Sequence, residues 1–176
     1  MKLFFPCLLV VGMQHVAAQK QGQKQSHAKS YLSVSPALVT PLGVFTDGYK
    51  SGYSLQGIMH FKWLNKGAEL QLVAGYERFT AKNFNYFGAV STIPMKVGVL
   101  QMVTQKYYLY GRLGLLGVKD QRSSFAMRFS SDLGMGYAFK NIALDVGLHA
   151  FVRKGANRLT NYMSFGMVLP FRRSSN

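Results

Sequence analysis

Charged residues are few in this sequence, and their placement is unusual. Glu69, Glu77, Asp132 and Asp145 are four of the six acids, and all four fall on the polar positions of long apolar–polar alternations. Lys96, Arg112, Arg128 and Arg153 fall on the same kind of position. Acids and bases that share one face have two chemistries open to them. They can pair as enclosed ions, because a buried charge is costly unless it is paired. Alternatively they can line a narrow, gated ion path. Sequence alone does not say which acid meets which base. His60 and His149 occupy the same face. A metal site needs several converging ligands, and the chain has no His-x-x-His or Cys-x-x-Cys spacing, so ordinary hydrogen bonding is expected of both. Nucleophilic catalysis needs a base within reach of a hydroxyl, and neither His60-Phe61-Lys62 nor His149-Ala150-Phe151 supplies a neighbouring serine. Glycine-rich phosphate loops and calcium loops are missing too, so no cofactor is expected.

The elements that carry these residues are eight alternating stretches separated by turn signals. They fall near 31–41, 52–63, 68–79, 90–102, 106–117, 125–138, 141–152 and 160–171. Alternation marks a strand with two unlike faces. Each stretch runs about 11 residues or more, against roughly 5–6 for an ordinary strand. One face is bulky: Tyr53, Leu55, Met59, Phe61 and Trp63 in the second stretch, and Phe125, Met127, Phe129, Leu133, Met135 and Tyr137 in the sixth. The other face holds Ser, Gly, Gln and the isolated charges.

Composition narrows the class. The chain has 176 residues, 48% hydrophobic, 14% aromatic and only 15% charged, which excludes a disordered chain. The longest apolar run, Leu3 to Met13, is far short of the roughly 20 residues of a membrane helix. With Lys2 before it and Val16-Ala17-Ala18 after it, that run reads as a secretory signal peptide over residues 1–18. Removing it would take away the only cysteine, Cys7. Residues 19–30 read as a flexible periplasmic arm, 31–171 as the folded unit and 172–176 as a basic tail. The formal net charge of +15 calls for an anionic partner, and export favours a phosphate-bearing membrane surface over nucleic acid.

A soluble barrel would bury the bulky face and wet the polar one. Here the polar face is poor in charge and rich in Gly and Ser, while the bulky face is nearly charge-free and often bounded by aromatics. That is the pattern of a transmembrane β-barrel, apolar outside and polar inside. The barrel must close, since an open edge in lipid leaves backbone groups unsatisfied. Connections two, four and six are short, and the others tend to be longer, as in an even-stranded barrel with its N-terminus on the periplasmic side. The longer loops carry Lys50, Lys82, Lys119, Arg122, Lys154 and Arg158 against Asp47 and Asp120. This is either a solvated basic rim or a surface for lipopolysaccharide phosphates, each basic group adding about 1 kcal/mol near an anionic surface.

Three stretches carry a family resemblance. They are Ile93-Pro94-Met95-Lys96-Val97-Gly98-Val99, Tyr107-Tyr108-Leu109-Tyr110-Gly111-Arg112-Leu113-Gly114, and Asp132-Leu133-Gly134-Met135-Gly136-Tyr137. The chain resembles small outer-membrane barrels of the OmpA/OmpX kind and, more closely, the PorT-like family. In that family the fourth strand often opens with Ile-Pro, and the fifth carries Tyr and Gly in this rhythm. Phe171 is similar to the terminal aromatic read by the barrel-insertion machinery, with Arg172 to Asn176 following it. The resemblance covers roughly residues 31–171 and implies outer-membrane lipid, the insertion machinery, and envelope or secretion proteins as partners. It does not extend to the lipid A deacylase type of barrel, whose His-x-Ser is missing here.

The expectation is therefore an all-β, eight-stranded, closed antiparallel transmembrane barrel with a non-enzymatic envelope, surface-interaction or secretion-associated role. Its competitors are a secreted lipocalin-like barrel with the apolar face inside, a narrow pore, and a lipid-modifying enzyme. On the face assignment, Leu144→Arg should be costly and Gly147→Ser better tolerated.

Overall fold

The computed structural model describes residues 30–64, 67–82, 88–120, 125–152 and 159–171. The strands are β1 (Ser30–Leu42), β2 (Tyr49–Leu64), β3 (Ala68–Ala81), β4 (Val90–Met102), β5 (Tyr107–Asp120), β6 (Ala126–Ala138), β7 (Ala143–Val152) and β8 (Leu159–Phe171). Each strand pairs antiparallel with its neighbours in sequence, and β1 pairs with β8 to close the barrel. Closure leaves no free edge, as lipid requires. The β1–β8 ladder is interrupted between Val34↔Leu169 and Ala37↔Gly166, at Pro36, which has no N–H to donate.

The expected signal peptide over 1–18, the arm up to residue 29 and the tail over 172–176 lie outside the described residues. Strand positions follow the alternation closely, with two informative differences. β2 begins at Tyr49 rather than 52, because the first connection is only a 3-10 turn, Gly43–Asp47. Gly43 takes a φ of 56°, and Thr46 Oγ1 donates to the Gly43 carbonyl at 2.6 Å, which tightens the turn. β7 starts at Ala143 rather than 141 because Phe139 N–H donates to the Ile142 carbonyl at 2.7 Å and makes those residues a closed turn.

The bulky face points outward. Leu38 is 66% exposed and Leu133 68%, and Leu55, Met95, Leu115, Phe129 and Leu144 share that surface. This arrangement overturns the lipocalin-like alternative, which needs the apolar face inside. Aromatics gather at both ends of the apolar band. Tyr107, Tyr137 and Phe139 pack ring to ring at the short-turn end, and Tyr53 meets Tyr76 at the opposite end.

Eight strands enclose a space just wide enough for side chains to fill. At the long-loop end the filling is apolar: Val39, Phe45, Tyr49, Phe79, Val90, Leu116, Phe151 and Tyr162 form one buried cluster. At the short-turn end Leu100, Tyr108 and Tyr110 form a second cluster. Polar residues lie between and beside these layers.

Candidate functional site in the barrel lumen

Strand register decides which lumen residues meet. Near the long-loop cluster, the buried Glu77 carboxylate accepts bonds from Thr92 Oγ1 at 2.8 Å, Tyr162 Oη at 2.8 Å and Gln56 Nε2 at 3.1 Å. Three donors from β4, β8 and β2 thus hold this carboxylate on β3, with no cation in contact among the described residues. Hydrogen bonds to a charged acceptor are the strong kind, so this is an adequate substitute for an ion pair.

At mid-lumen, Lys96 Nζ lies 2.6 Å from Asp132 Oδ1, and both side chains are fully buried. His149 Nδ1 lies 2.9 Å from the same oxygen. The far edge of that imidazole, Nε2, is 2.7 Å from Ser164 Oγ, and the ring stacks on Tyr162 with centroids 4.5 Å apart. Toward the short turns, His60 Nδ1 is 3.0 Å from Glu69 Oε2, and His60 Nε2 is 2.8 Å from Ser33 Oγ. Tyr31 donates its hydroxyl to Glu69 at 2.7 Å and stacks on His60 at 4.3 Å.

Arg112 behaves differently. It is buried, its Nε donates to Gln71 Oε1 at 2.8 Å, and its guanidinium lies 4.0 Å from the Tyr110 ring centroid. Among the described residues no carboxylate lies within 4.0 Å of it. Asp145 is also buried and also has no cation at that range among the described residues. Arg128 is only half-buried and reaches the Val152 carbonyl at 3.5 Å rather than an acid. The expected set of paired lumen charges therefore narrows. Lys96–Asp132 is the one contact between a lysine or arginine and a carboxylate among the described residues. Tyrosine, glutamine, threonine and histidine do the rest of the neutralising. Arg153 lies outside the described residues.

The inward glycines are spaces for large neighbours. A Cβ on Gly134 or Gly136 would collide with the Tyr110 and Tyr108 rings respectively. One on Gly147 would come within 2.5 Å of Tyr110 Oη, 2.8 Å of Ser164 Oγ and 3.0 Å of His149 Nε2. Gly147→Ser therefore carries a packing cost of its own, smaller than that expected of a charge placed in lipid at Leu144.

Histidine and serine meet in a way that sequence spacing does not display. No serine neighbours either histidine in sequence, yet Ser164–His149–Asp132 and Ser33–His60–Glu69 are brought together across strands. Cross-strand register makes these contacts, and no local pattern displays it. The polar face did display Gln56, Gln71 and Ser164. Phe45, in its turn, had no alternation to show that it points inward.

Of the rim residues, Lys50, Lys82 and Lys119 are exposed at the long-loop end, and Arg122, Lys154 and Arg158 lie outside the described residues. Arg78, absent from the sequence expectation, is exposed beside Lys119. The two flank a groove of about 360 Å³ that Tyr76, Ile93, Gly117 and Phe125 also line.

No protein-family model matches this chain. No curated protein sequence matches it either. Solved structures do. The crystal structure of Ail, the attachment invasion locus protein of Yersinia pestis, has a TM-score of 0.54 at 14% identity, covering 82% of this chain and 99% of that one. The backbone structure of Yersinia pestis Ail in a phospholipid bilayer nanodisc gives 0.54 at 14%, covering 81% and 100%. Neisserial surface protein A gives 0.50 at 16%, covering 80% and 95%. The likeness is one of fold. With the outward apolar face, it defines the class: a closed eight-stranded transmembrane β-barrel of the outer-membrane type.

Proposed function

We propose that this chain is an integral protein of the bacterial outer membrane, exported by a signal peptide over residues 1–18, that acts through its surface rather than as a pore or an enzyme. The observation that carries this reading is the apolar cluster across the long-loop end. Phe45 packs edge-on against Phe79, with ring centroids 5.0 Å apart, and against Phe151 at 6.0 Å, while Phe79 meets Tyr162 at 5.2 Å. Water and ions gain nothing from such a layer, and eight strands leave no second route around it.

The serine–histidine–acid contacts are read as lumen wall. Acyl transfer needs hydrogen-bond donors aimed at the developing oxyanion, and inward-facing strand residues have their N–H groups committed to the ladder. Ser33 is also fully buried. The basic rim and the groove between Arg78 and Lys119 suit the phosphates and acyl chains of outer-leaflet lipopolysaccharide. The resemblance to PorT-like barrels adds envelope or secretion proteins as partners, and Phe171, at the end of the last strand, adds the insertion machinery during biogenesis. Nucleic acid and cofactors have no place in this reading. Planar-bilayer recording of the refolded protein tests it: a silent bilayer is expected, and stepwise single-channel currents would overturn it.

A further inference from the structure

A cavity of about 160 Å³ opens into the lumen from the short-turn end. Its deep wall holds Arg112, only 4% exposed, and its mouth holds Lys140. Leu100, Met102, Ala143 and Val168 line the sides between them. One carboxylate, Glu69, also borders the space, but Tyr31 Oη and His60 Nδ1 already bind one of its oxygens at 2.7 and 3.0 Å. Arg112 is not satisfied in the same way. Among the described residues Nε is the only part of its guanidinium with a hydrogen-bond partner, the neutral Gln71. The Tyr110 face beside it is a weak substitute for a counter-ion. A guanidinium is a fork of N–H donors that cannot discharge, and a carboxylate fits that fork.

We propose that this cavity binds a small carboxylate with a short apolar tail, head inward on Arg112 and tail along Leu100, Met102 and Ala143 toward the mouth. A cavity of roughly 150 Å³ with apolar walls holds a benzene-sized molecule, which limits the tail to a few carbons. The site is charge-selective because its fixed acid already has two donors on one oxygen, while its deep cation has one neutral acceptor among the described residues.

The test follows the Met102 side-chain methyl by NMR in the refolded full chain, in detergent, with butanoate as probe and butanamide as its neutral match. Met102 is assigned through Met102→Leu. A saturable shift with butanoate is expected, weaker by roughly tenfold with butanamide. Arg112→Met, checked for folding by its mobility on unboiled gels, is expected to abolish the response. Ala143→Leu, which fills the cavity without touching the charge, is expected to abolish it too and keeps the test decisive if Arg112→Met does not fold. No saturable shift, equal response to acid and amide, or undiminished binding in the variants would overturn the proposal. None of these outcomes bears on whether the barrel conducts.

Discussion

Lys96 on β4 and Asp132 on β6 meet inside the lumen at 2.6 Å, although the residues directly opposite Asp132 in the ladders are Arg112 on β5 and His149 on β7. Arg112 turns instead to Gln71 on β3. Gly98, opposite Arg112 on β4, makes this geometry possible: a Cβ there would sit 2.5 Å from Arg112 Cγ. Among the described residues the lumen thus holds its charges in unlike ways: Lys96 with Asp132 as an enclosed ion pair, Glu77 and Glu69 by hydrogen bonds, and Arg112 against a cavity.

Removing one member of an enclosed ion pair strands the other. Lys96→Met should lower stability by about 3–5 kcal/mol, since Asp132 would stay enclosed without the ammonium that pairs with it. The double variant Lys96→Met, Asp132→Leu should recover most of that loss. Denaturant unfolding in bilayers measures both, and a single variant as stable as the parent would remove the pair from the account.

Phe45 reaches the lumen from a turn rather than from a strand. Phe45→Ala should cost about 3–5 kcal/mol by opening a void between Phe79 and Phe151. It should also thin the layer that blocks the long-loop end. Paired measurements of unfolding and bilayer conductance check this, and a variant with parental stability would mean that Phe45 packs elsewhere.

Two positions three residues apart on β7 should both be sensitive, for opposite reasons. Leu144 faces outward, so Leu144→Arg places a charge in lipid at about 2–4 kcal/mol. Gly147 faces inward against Tyr110, so Gly147→Ser overpacks the lumen at about 1–3 kcal/mol. Tyr110→Phe removes the nearest clashing atom and should relieve Gly147→Ser but not Leu144→Arg. Relief of both, or of neither, measured by thermal unfolding, would contradict the face assignment.

Most of the fold was legible because period-2 alternation is a local signal. Leu133, Met135 and Tyr137 opposite Asp132, Gly134 and Gly136 announce both a strand and its two faces. What alternation cannot carry is register. That Ser164 meets His149, or that Lys96 rather than Arg112 reaches Asp132, depends on pairings between strands and on which neighbours are glycine. Residues in turns are the other blind spot. Phe45 lies between Val44 and Thr46 in a stretch with no period, so its inward packing emerges only once the barrel end exists to receive it. Phe79 and Phe151 occupy lumen positions that the polar residues around them made look like a hydrophilic face.

The central claim is a closed barrel with its apolar surface in lipid, and gel mobility of the membrane fraction tests it most directly. Extracted in detergent and run in SDS with and without boiling, a closed membrane barrel stays folded until heated. Two mobilities that convert on boiling, from protein recovered with the outer membrane, are the predicted result. A single mobility, from protein that leaves the membrane in salt alone, would contradict it.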